Sequence, residues 1–307
     1  MKPIDVIGVP CDLGGALRGS ARAPQTLIED GLLVELRADS RSVHYVNLRE
    51  CTLSPEAFSS AQKPSGRVHY RKKIETVLSV LAPRVFASLQ LGHAPLLLGG
   101  DHSLVIASIG QALALYGDRL GVIWLDAHCD AHMPQTSPSH HANGMPLATL
   151  LGHGPKGFRA PISGRTLESN QVLHIGRGET DCEPEEIDFL EKRNVEMFPM
   201  SFLRGTDGMF LMGQRLKAFC ENFDAIWVST DIDVVLARDA PGVDFPSKTG
   251  MTREELLNIA RIIADSRLLV GADLVEYNPS RDHVYSDGTH QTAQLLIDVA
   301  TTLFSRV

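Results

Sequence analysis

The chain has 307 residues, of which 43% are hydrophobic and 21% are charged, and its formal net charge is -8. This is the composition of an ordinary globular protein with enough chain for a large core. The acidic balance and the lack of a Lys/Arg-rich run exclude a basic surface for nucleic acid or for an anionic membrane. The start, MKPIDVIGV, lacks signal-peptide features, and no run reaches the roughly 18 apolar residues of a spanning helix. We therefore expect a cytoplasmic protein.

Short runs rich in Val, Ile and Leu alternate along the chain with segments of helical periodicity. The apolar runs predict buried strands over 4–9, 44–48, 94–100, 120–126, 172–176, 225–231 and 269–276. The periodic segments predict helices over 24–38, 70–91, 103–116, 184–193, 210–222, 252–265 and 288–305. A capping-box pattern, Thr252-Arg-Glu-Glu255, marks the start of one of them.

This alternation predicts an α/β sandwich with a mostly parallel sheet. A TIM barrel is disfavoured, because its strands and helices would alternate more uniformly. Here two long irregular stretches, 131–147 and 233–250, interrupt the alternation. No linker or composition shift divides the chain, so we expect residues 1–307 to form a single domain. The cysteines are odd in number and have no CxxC spacing, which favours reduced, packed thiols for Cys11, Cys51, Cys129, Cys182 and Cys220.

Ionisable residues follow three of the predicted strands. In WLDAHCDAH (124–132) four of them are spaced by two, so an extended backbone would point all four to one side. LLLGGDHS (96–103) and IWVSTDID (226–233) also pass from an apolar strand into charged residues. Because the carboxyl ends of parallel strands meet at one edge of a sheet, these side chains would converge there. The candidate metal ligands are His102, Asp126, His128, Asp130, Asp231 and Asp233.

Six such ligands are too many for one metal ion that keeps an open coordination position. Oxygen-rich ligation with some imidazole suits manganese better than a structural zinc, which prefers thiolates. Two ions that share bridging carboxylates would use the whole set and could activate a water molecule as the nucleophile. Without cations, four carboxylates in one crevice would repel one another. We therefore predict two Mn2+ ions as cofactors.

Four motifs occur along the chain in the order GGDHS (99–103), DAHCD (126–130), STDID (229–233) and DLVEYNP (273–279). This set resembles the signature of the arginase, agmatinase and formimidoylglutamase family, the ureohydrolases. Residues 7–32 and 144–152 are also similar to family segments, and the resemblance spans about residues 4 to 300. It implies a three-layer α/β/α sandwich around an eight-stranded, mostly parallel sheet, with a binuclear manganese centre. It also implies a homo-oligomer, either a trimer or a hexamer.

The resemblance further implies roles for single residues. One ion would be held by His102, Asp126, Asp130 and Asp231, and the other by Asp126, His128, Asp231 and Asp233. Asp126 and Asp231 would be the bridging carboxylates, and Asp130 would hydrogen-bond the bridging hydroxide. Glu276, in DLVEYNP, matches the family carboxylate that binds the guanidinium or amidine group.

The loop after DAHCD departs from the arginase pattern. Arginases carry a His immediately before the Gly of this loop, thought to shuttle protons, where this chain has Asn143. An asparagine cannot be a general acid at neutral pH. His140, His141 or His132 could replace it, and we select His141 as the candidate, so the predicted catalytic residues are Asp130, Glu276 and His141.

The same loop corresponds to the part of arginases that reads the amino-acid end of the substrate. His132, Ser139 and His141 fall where arginases tend to have Asn, Ser and Asn. Asp181 falls on an Asp that meets the α-amino group. The predicted substrate-binding residues are therefore His132, Ser139, Asn143, Asp181 and Glu276.

The first functional hypothesis is a manganese-dependent hydrolase that converts arginine to ornithine and urea. Formimidoylglutamase is the nearest alternative, since Asn143 breaks the arginase pattern and EYNPSRD…TAQL also resembles that branch, although no Arg follows the metal motif to pair with a substrate carboxylate. Two further hypotheses are a guanidinobutyrate hydrolase and a metal-bound but catalytically weak binding protein. A deacetylase of related architecture is disfavoured by the paired GGDHS and DAHCD motifs. In each enzymatic reading the partner is a small guanidino or formimino substrate, with no nucleic acid and no membrane.

Overall fold

The computed structural model describes residues 1–38, 40–49, 68–159 and 164–307. Its centre is an eight-stranded sheet that contains all the predicted strands and one more. The strands are β1 (Ile4–Gly8), β2 (Val43–Asn47), β3 (Ala94–Leu98), β4 (Leu120–Leu125), β5 (Val172–Ile175), β6 (Glu196–Phe198), β7 (Ala225–Asp231) and β8 (Leu269–Val275). Their order is β2-β1-β3-β8-β7-β4-β5-β6, and every adjacent pair is parallel. The sheet is therefore open, with β2 and β6 at its edges, and is not a closed barrel.

Helices cover both faces of the sheet. In the described ranges they are α1 (Ala23–Glu29), α2 (Leu32–Leu36), α3 (Arg71–Gln90), α4 (Val105–Tyr116), α5 (Pro146–Leu150), α6 (Pro184–Glu191), α7 (Met200–Leu203), α8 (Gly208–Glu221), α9 (Arg253–Ser266) and α10 (Gln291–Phe304). The four central strands, β3, β4, β7 and β8, are buried at every position. This is the pattern of parallel strands that are covered on both sides.

Alternate residues of each strand point to opposite faces, and each face has its own hydrophobic core. Val6 and Ile123 belong to the core that includes α1, α2, α8, α9 and α10. Ile7 and Trp124 belong to the core that includes α3, α4 and α6. The predicted three-layer α/β/α sandwich is confirmed.

The structure differs from the sequence-based elements in several places, and the short helices α5 and α7 were not predicted. The strand Glu196–Phe198 was missed because it is only three residues long, half-buried and at the sheet edge. The helix predicted over 24–38 is two helices, since Gly31 lies between them with a left-handed φ of 102°. The capping box is confirmed: the Thr252 side chain accepts from the Glu255 backbone N–H, and the Glu255 carboxylate accepts from the Thr252 N–H.

In residues 1–38, 40–49, 68–159 and 164–307, no helix combines the length and apolarity needed to cross a membrane.

Cys11, Cys129 and Cys220 are buried and Cys182 is half-buried, and none of these four forms a disulfide. This agrees with packed, reduced thiols. Cys51 lies outside the described residues.

Candidate metal centre and substrate cleft

The predicted metal ligands come from strands that are neighbours in the sheet. His102 follows β3, the DAHCD motif follows β4, and Asp231 ends β7. β8 lies between β3 and β7 and leads into Glu276, so β3, β8, β7 and β4 form an uninterrupted set at the centre of the sheet. Their carboxyl ends meet at one edge and bring the motifs together from distant parts of the chain.

His102 faces three carboxylates at this edge. Its Nδ1 lies 3.2 Å from an Asp126 oxygen, 2.8 Å from Asp130 and 3.3 Å from Asp231. Its Nε2 is hydrogen-bonded to the Ser229 hydroxyl at 3.0 Å, and the ring stacks on Trp124. The imidazole is therefore held with Nδ1 towards the carboxylates.

His128 makes the second half of the cluster. Its Nδ1 lies 2.8 Å from an Asp233 oxygen and 3.7 Å from Asp126. Asp126 is the carboxylate common to the two halves, and its Oδ2 also accepts from the Trp124 indole N–H at 2.9 Å. Asp231 and Asp233 are joined by a hydrogen bond of 3.0 Å from the Asp233 N–H to Asp231 Oδ1. All six predicted ligands are thus brought together.

The backbone that presents the DAHCD ligands is not the extended strand that the two-residue spacing suggested. β4 ends at Leu125, and Asp130 has a left-handed φ of 49°. The turn is held by side chains instead: Asp126 Oδ1 accepts from the His128 N–H at 2.7 Å, and Glu186 Oε1 accepts from the Ala131 N–H at 2.9 Å. A rare backbone conformation held in this way is typical of functional sites.

Carboxylates and imidazoles shift one another's pKa values in this cluster. Burial alone would lower the pKa of His102, but the charge of Asp130 and the nearby carboxylates of Asp126 and Asp231 raise it well above its usual value. Burial opposes ionisation of His128 too, and Asp233 raises its pKa well above normal. Burial, followed by the charge of Asp126, raises the pKa of Asp130 to about 7. The carboxylates therefore attract positive charge, which cations could supply in place of protons.

The residues present fit a divalent metal centre. His102 Nδ1 is buried and forms no hydrogen bond within the described structure, although carboxylate oxygens surround it. His102, Asp126 and Asp231 form one group of donor atoms close enough to share an ion, and Asp126, His128 and Asp233 form another. Two groups that share a carboxylate are the arrangement expected for two neighbouring ions.

Glu276 lies beside this cluster. It follows β8 with a left-handed φ of 61°, and its side chain is largely buried. Its Oε1 accepts from the His102 backbone N–H at 2.8 Å and from the Asn143 side-chain amide at 3.1 Å. Burial, and then the charge of Asp101, raises the pKa of Glu276 to about 8.

A cleft opens onto the cluster and onto Glu276. Its described lining includes the imidazoles of His128 and His132 but no Lys or Arg. Its carboxylates are those of Asp130, Asp181, Glu183, Glu186, Asp231, Asp233, Asp244 and Glu276. Such a lining favours a ligand that carries positive charge.

Sequence reasoning missed three of these carboxylates. Glu183 and Glu186 lie at the start of α6, where acidic residues are expected for capping, so nothing marked them as part of a site. Both contact His132, whose Nε2 lies 3.1 Å from Glu183 and 3.3 Å from Glu186. Asp244 lies in an irregular stretch and is bound by the Arg281 side chain at 2.6 Å.

A model of the arginase family matches residues 2–305. The chain belongs to the arginase family. It is 30% identical to the arginase of Bacillus caldovelox over 308 aligned residues, covering 99% of this chain and 98% of that protein. It is also 30% identical to the arginase of Bacillus subtilis, with 97% of each covered. The protein is therefore a hydrolase.

Solved structures agree with this assignment. The native arginase of Bacillus caldovelox matches with a TM-score of 0.90 and 29% identity, covering 99% of this chain and 98% of that one. A formimidoylglutamase from Bacillus subtilis matches with a TM-score of 0.76 at 21% identity, covering 100% of this chain and 87% of that one, which is a likeness of fold alone.

The predicted substrate-binding residues of this arginase-family chain all line the cleft: His132, Ser139, Asn143, Asp181 and Glu276. The predicted catalytic His141 does not. Its ring packs against His69, with ring centroids 4.8 Å apart. Burial, and then the charges of His69 and Arg18, lowers the pKa of His141 to about 4, so the ring is neutral at pH 7.

Proposed function

We propose that this arginase-family hydrolase cleaves the guanidino C–N bond of L-arginine, with two Mn2+ ions, to give ornithine and urea. The observation that carries the proposal is a carboxylate-rich cleft in which Glu276 adjoins the six-residue metal-ligand set. A guanidinium is a cation with several N–H donors, so it is complementary to a carboxylate lining.

The metal ligands would keep the family assignment given above, with Asp126 and Asp231 shared between the ions. Bound there, the two cations would make a shared water molecule acidic enough to act as a strong nucleophile near neutral pH. This matters because a guanidinium carbon is stabilised by resonance and reacts poorly with neutral water.

The protein's own residues would orient the reactants. Glu276 Oε1 is already engaged by His102 and Asn143, so Oε2 is the oxygen we assign to the guanidinium N–H groups. Asp130 would accept a hydrogen bond from the attacking water molecule. Asp181 and Ser139 would bind the amino-acid end of the substrate.

The charge of the cleft supports arginine over formimidoylglutamate and guanidinobutyrate. No Lys or Arg stands in the described lining to pair with a carboxylate. Formimidoylglutamate carries two carboxylates, and guanidinobutyrate carries one without an amino group to offset it. Arginine brings an α-ammonium group that suits Asp181.

The transfer of a proton to the leaving group needs a side chain that reaches the cleft. His141 was the candidate from sequence, but it packs against His69 and would need a loop shift to act. His132 lines the cleft, is largely buried, and has Glu183 and Glu186 beside its Nε2. We therefore assign the proton transfer to His132.

The test is product formation by Mn2+-loaded protein on arginine, agmatine, guanidinobutyrate and formimidoylglutamate, with urea and formamide assayed separately. We expect urea from arginine. Formamide from formimidoylglutamate would overturn the arginine assignment, and no product from all four with two metals bound would favour a binding role. We also propose that the chain is a single domain, that it is cytoplasmic and that it forms a trimer or a hexamer. Light scattering would measure the oligomeric state.

A further inference from the structure

Two histidines and an aspartate lie at the edge of the sheet opposite the cleft. Asp5 is the second residue of β1, His44 is the second residue of β2, and His93 immediately precedes β3. These are the amino ends of three neighbouring strands, whereas His102 and Glu276 follow carboxyl ends. Because all the strands are parallel, this cluster and the cleft lie at opposite edges of the sheet.

The strand register explains why the three side chains meet. Asp5 pairs with His44 between β1 and β2. Ile4 pairs with Ala94 between β1 and β3, so His93 lies diagonally across from Asp5. Directly paired and diagonal residues of this kind share one face of a sheet and are within reach of each other.

The donor atoms are close enough to hold one ion. His44 Nδ1 lies 2.7 Å from Asp5 Oδ1, and His93 Nδ1 lies 3.0 Å from Asp5 Oδ2. One donor atom from each of the three residues falls within 4.8 Å of the others. Bonds of about 2.0–2.1 Å in a tetrahedral zinc site place neighbouring ligand atoms about 3.3 Å apart. Small side-chain adjustments would reach that geometry.

We propose that Asp5, His44 and His93 form a further metal site, separate from the predicted catalytic centre, that binds Zn2+ or a similar transition-metal ion. Two imidazoles and one carboxylate suit zinc-class ions, whereas Mg2+ and Ca2+ prefer all-oxygen sites. Two neutral imidazoles with one carboxylate also give a net charge of -1, which attracts a divalent cation. Three protein ligands leave one tetrahedral position for water.

The site is accessible without unfolding, since the His44 side chain is 60% exposed. A bound ion would join the edge strand β2 to β1 and to the turn before β3. Edge strands are held on one side only, so such a link stabilises a weak part of the sheet. A ligand that binds the folded state alone raises the melting temperature.

The test compares the whole protein with the double variant His44→Ala/His93→Ala. A matched control, His153→Ala/His283→Ala, removes two exposed histidines outside the cluster. Each protein is dialysed against Zn2+, and the bound metal is counted by mass spectrometry. Because Zn2+ can also enter the catalytic centre in all three proteins, the informative quantity is the difference between them. We expect the control to match the wild type and the double variant to bind one equivalent fewer.

Equal stoichiometry in all three proteins would overturn the proposal and leave an aspartate hydrogen-bonded to two histidines. If the double variant does not fold, His44→Ala alone serves, because its side chain is exposed; its Zn2+ affinity at this site should fall by about tenfold or more. Cu2+ provides a separate readout. In Cu2+-saturated wild type, a signal with hyperfine coupling to two imidazole nitrogens should be present, because each predicted catalytic ion has only one histidine ligand; a two-nitrogen signal that persists in His44→Ala would refute the assignment.

Discussion

Glu276→Gln tests the assignment of the substrate-binding carboxylate most directly. Oε1 of Glu276 accepts two hydrogen bonds, from the His102 N–H and from the Asn143 amide. Both partners are donors, so a glutamine would place its carbonyl oxygen at the Oε1 position. Its NH2 group would then take the Oε2 position, where it would meet the donor N–H groups of a guanidinium.

The substitution therefore replaces a charge-assisted hydrogen bond with a contact between donors. Losing such a bond and leaving the partner unsatisfied costs about 3 kcal/mol, or about 150-fold in kcat/KM. The fold should not suffer, because glutamine keeps both bonds at Oε1 and replaces a carboxyl group whose ionisation is opposed by burial and by Asp101. We expect an unchanged or slightly higher melting temperature.

The assay is urea release from arginine and from guanidinobutyrate, with metal content measured on the same samples. Asp181→Asn is the matched control, since it also neutralises a carboxylate of the cleft. Glu276→Gln should lower kcat/KM for any guanidino substrate that is turned over, whereas Asp181→Asn should mainly raise the KM for arginine. A Glu276→Gln enzyme with wild-type kcat/KM and full metal content would refute the reasoning.

Three further predictions concern single residues. His132→Asn should lower kcat for arginine about 100-fold or more, since a general acid contributes about 10²–10⁴-fold, whereas His141→Asn should not; an unchanged rate in His132→Asn would show that His132 is not the proton shuttle. Asp231→Asn should reduce bound Mn2+ from two per chain to one or fewer and abolish urea release, without lowering the melting temperature of the metal-free protein, because it relieves repulsion among buried carboxylates; full occupancy by elemental analysis would contradict the shared-ligand assignment. The lowered pKa of His141, about 4, means that the unfolded chain binds more protons than the folded chain between about pH 4 and 6.5, so stability is lost as the pH falls through that range. Between pH 7 and pH 5, the free energy of unfolding of His141→Asn should fall less than that of the wild type, by roughly 1 kcal/mol after allowing for solvent screening. Urea titrations at the two pH values measure this difference. Equal losses in the two proteins would contradict the lowered pKa of His141.

The strands and the convergence of the six candidate metal ligands could be predicted from sequence because their signals are local. A buried parallel strand is a continuous apolar run, and residues that follow such strands must emerge at the same edge of the sheet. The regular spacing in DAHCD and STDID marked the candidate ligands even though the first segment is not extended, as the left-handed φ of Asp130 shows.

The sequence could not reveal the order of the strands, which decides which motifs meet. GGDHS and DLVEYNP are far apart along the chain, yet β3 and β8 pair directly and bring His102 against Glu276. The same ordering places Asp5, His44 and His93 side by side at the opposite edge, although nothing in their separate surroundings marks them. Pairing between distant strands is set by the packing of the whole sheet and not by any one segment.

By itself, then, the sequence determined the layered α/β fold, the arginase family and the set of candidate metal ligands, because each rests on composition, periodicity or a short motif. Only the tertiary structure decided what surrounds the ligands. In the structure, His141 packs against His69, and His132 contacts Glu183 and Glu186. The described lining of the cleft contains carboxylates and no Lys or Arg. Loop conformation depends on contacts with remote elements, and for this reason residue spacing alone could not place these side chains.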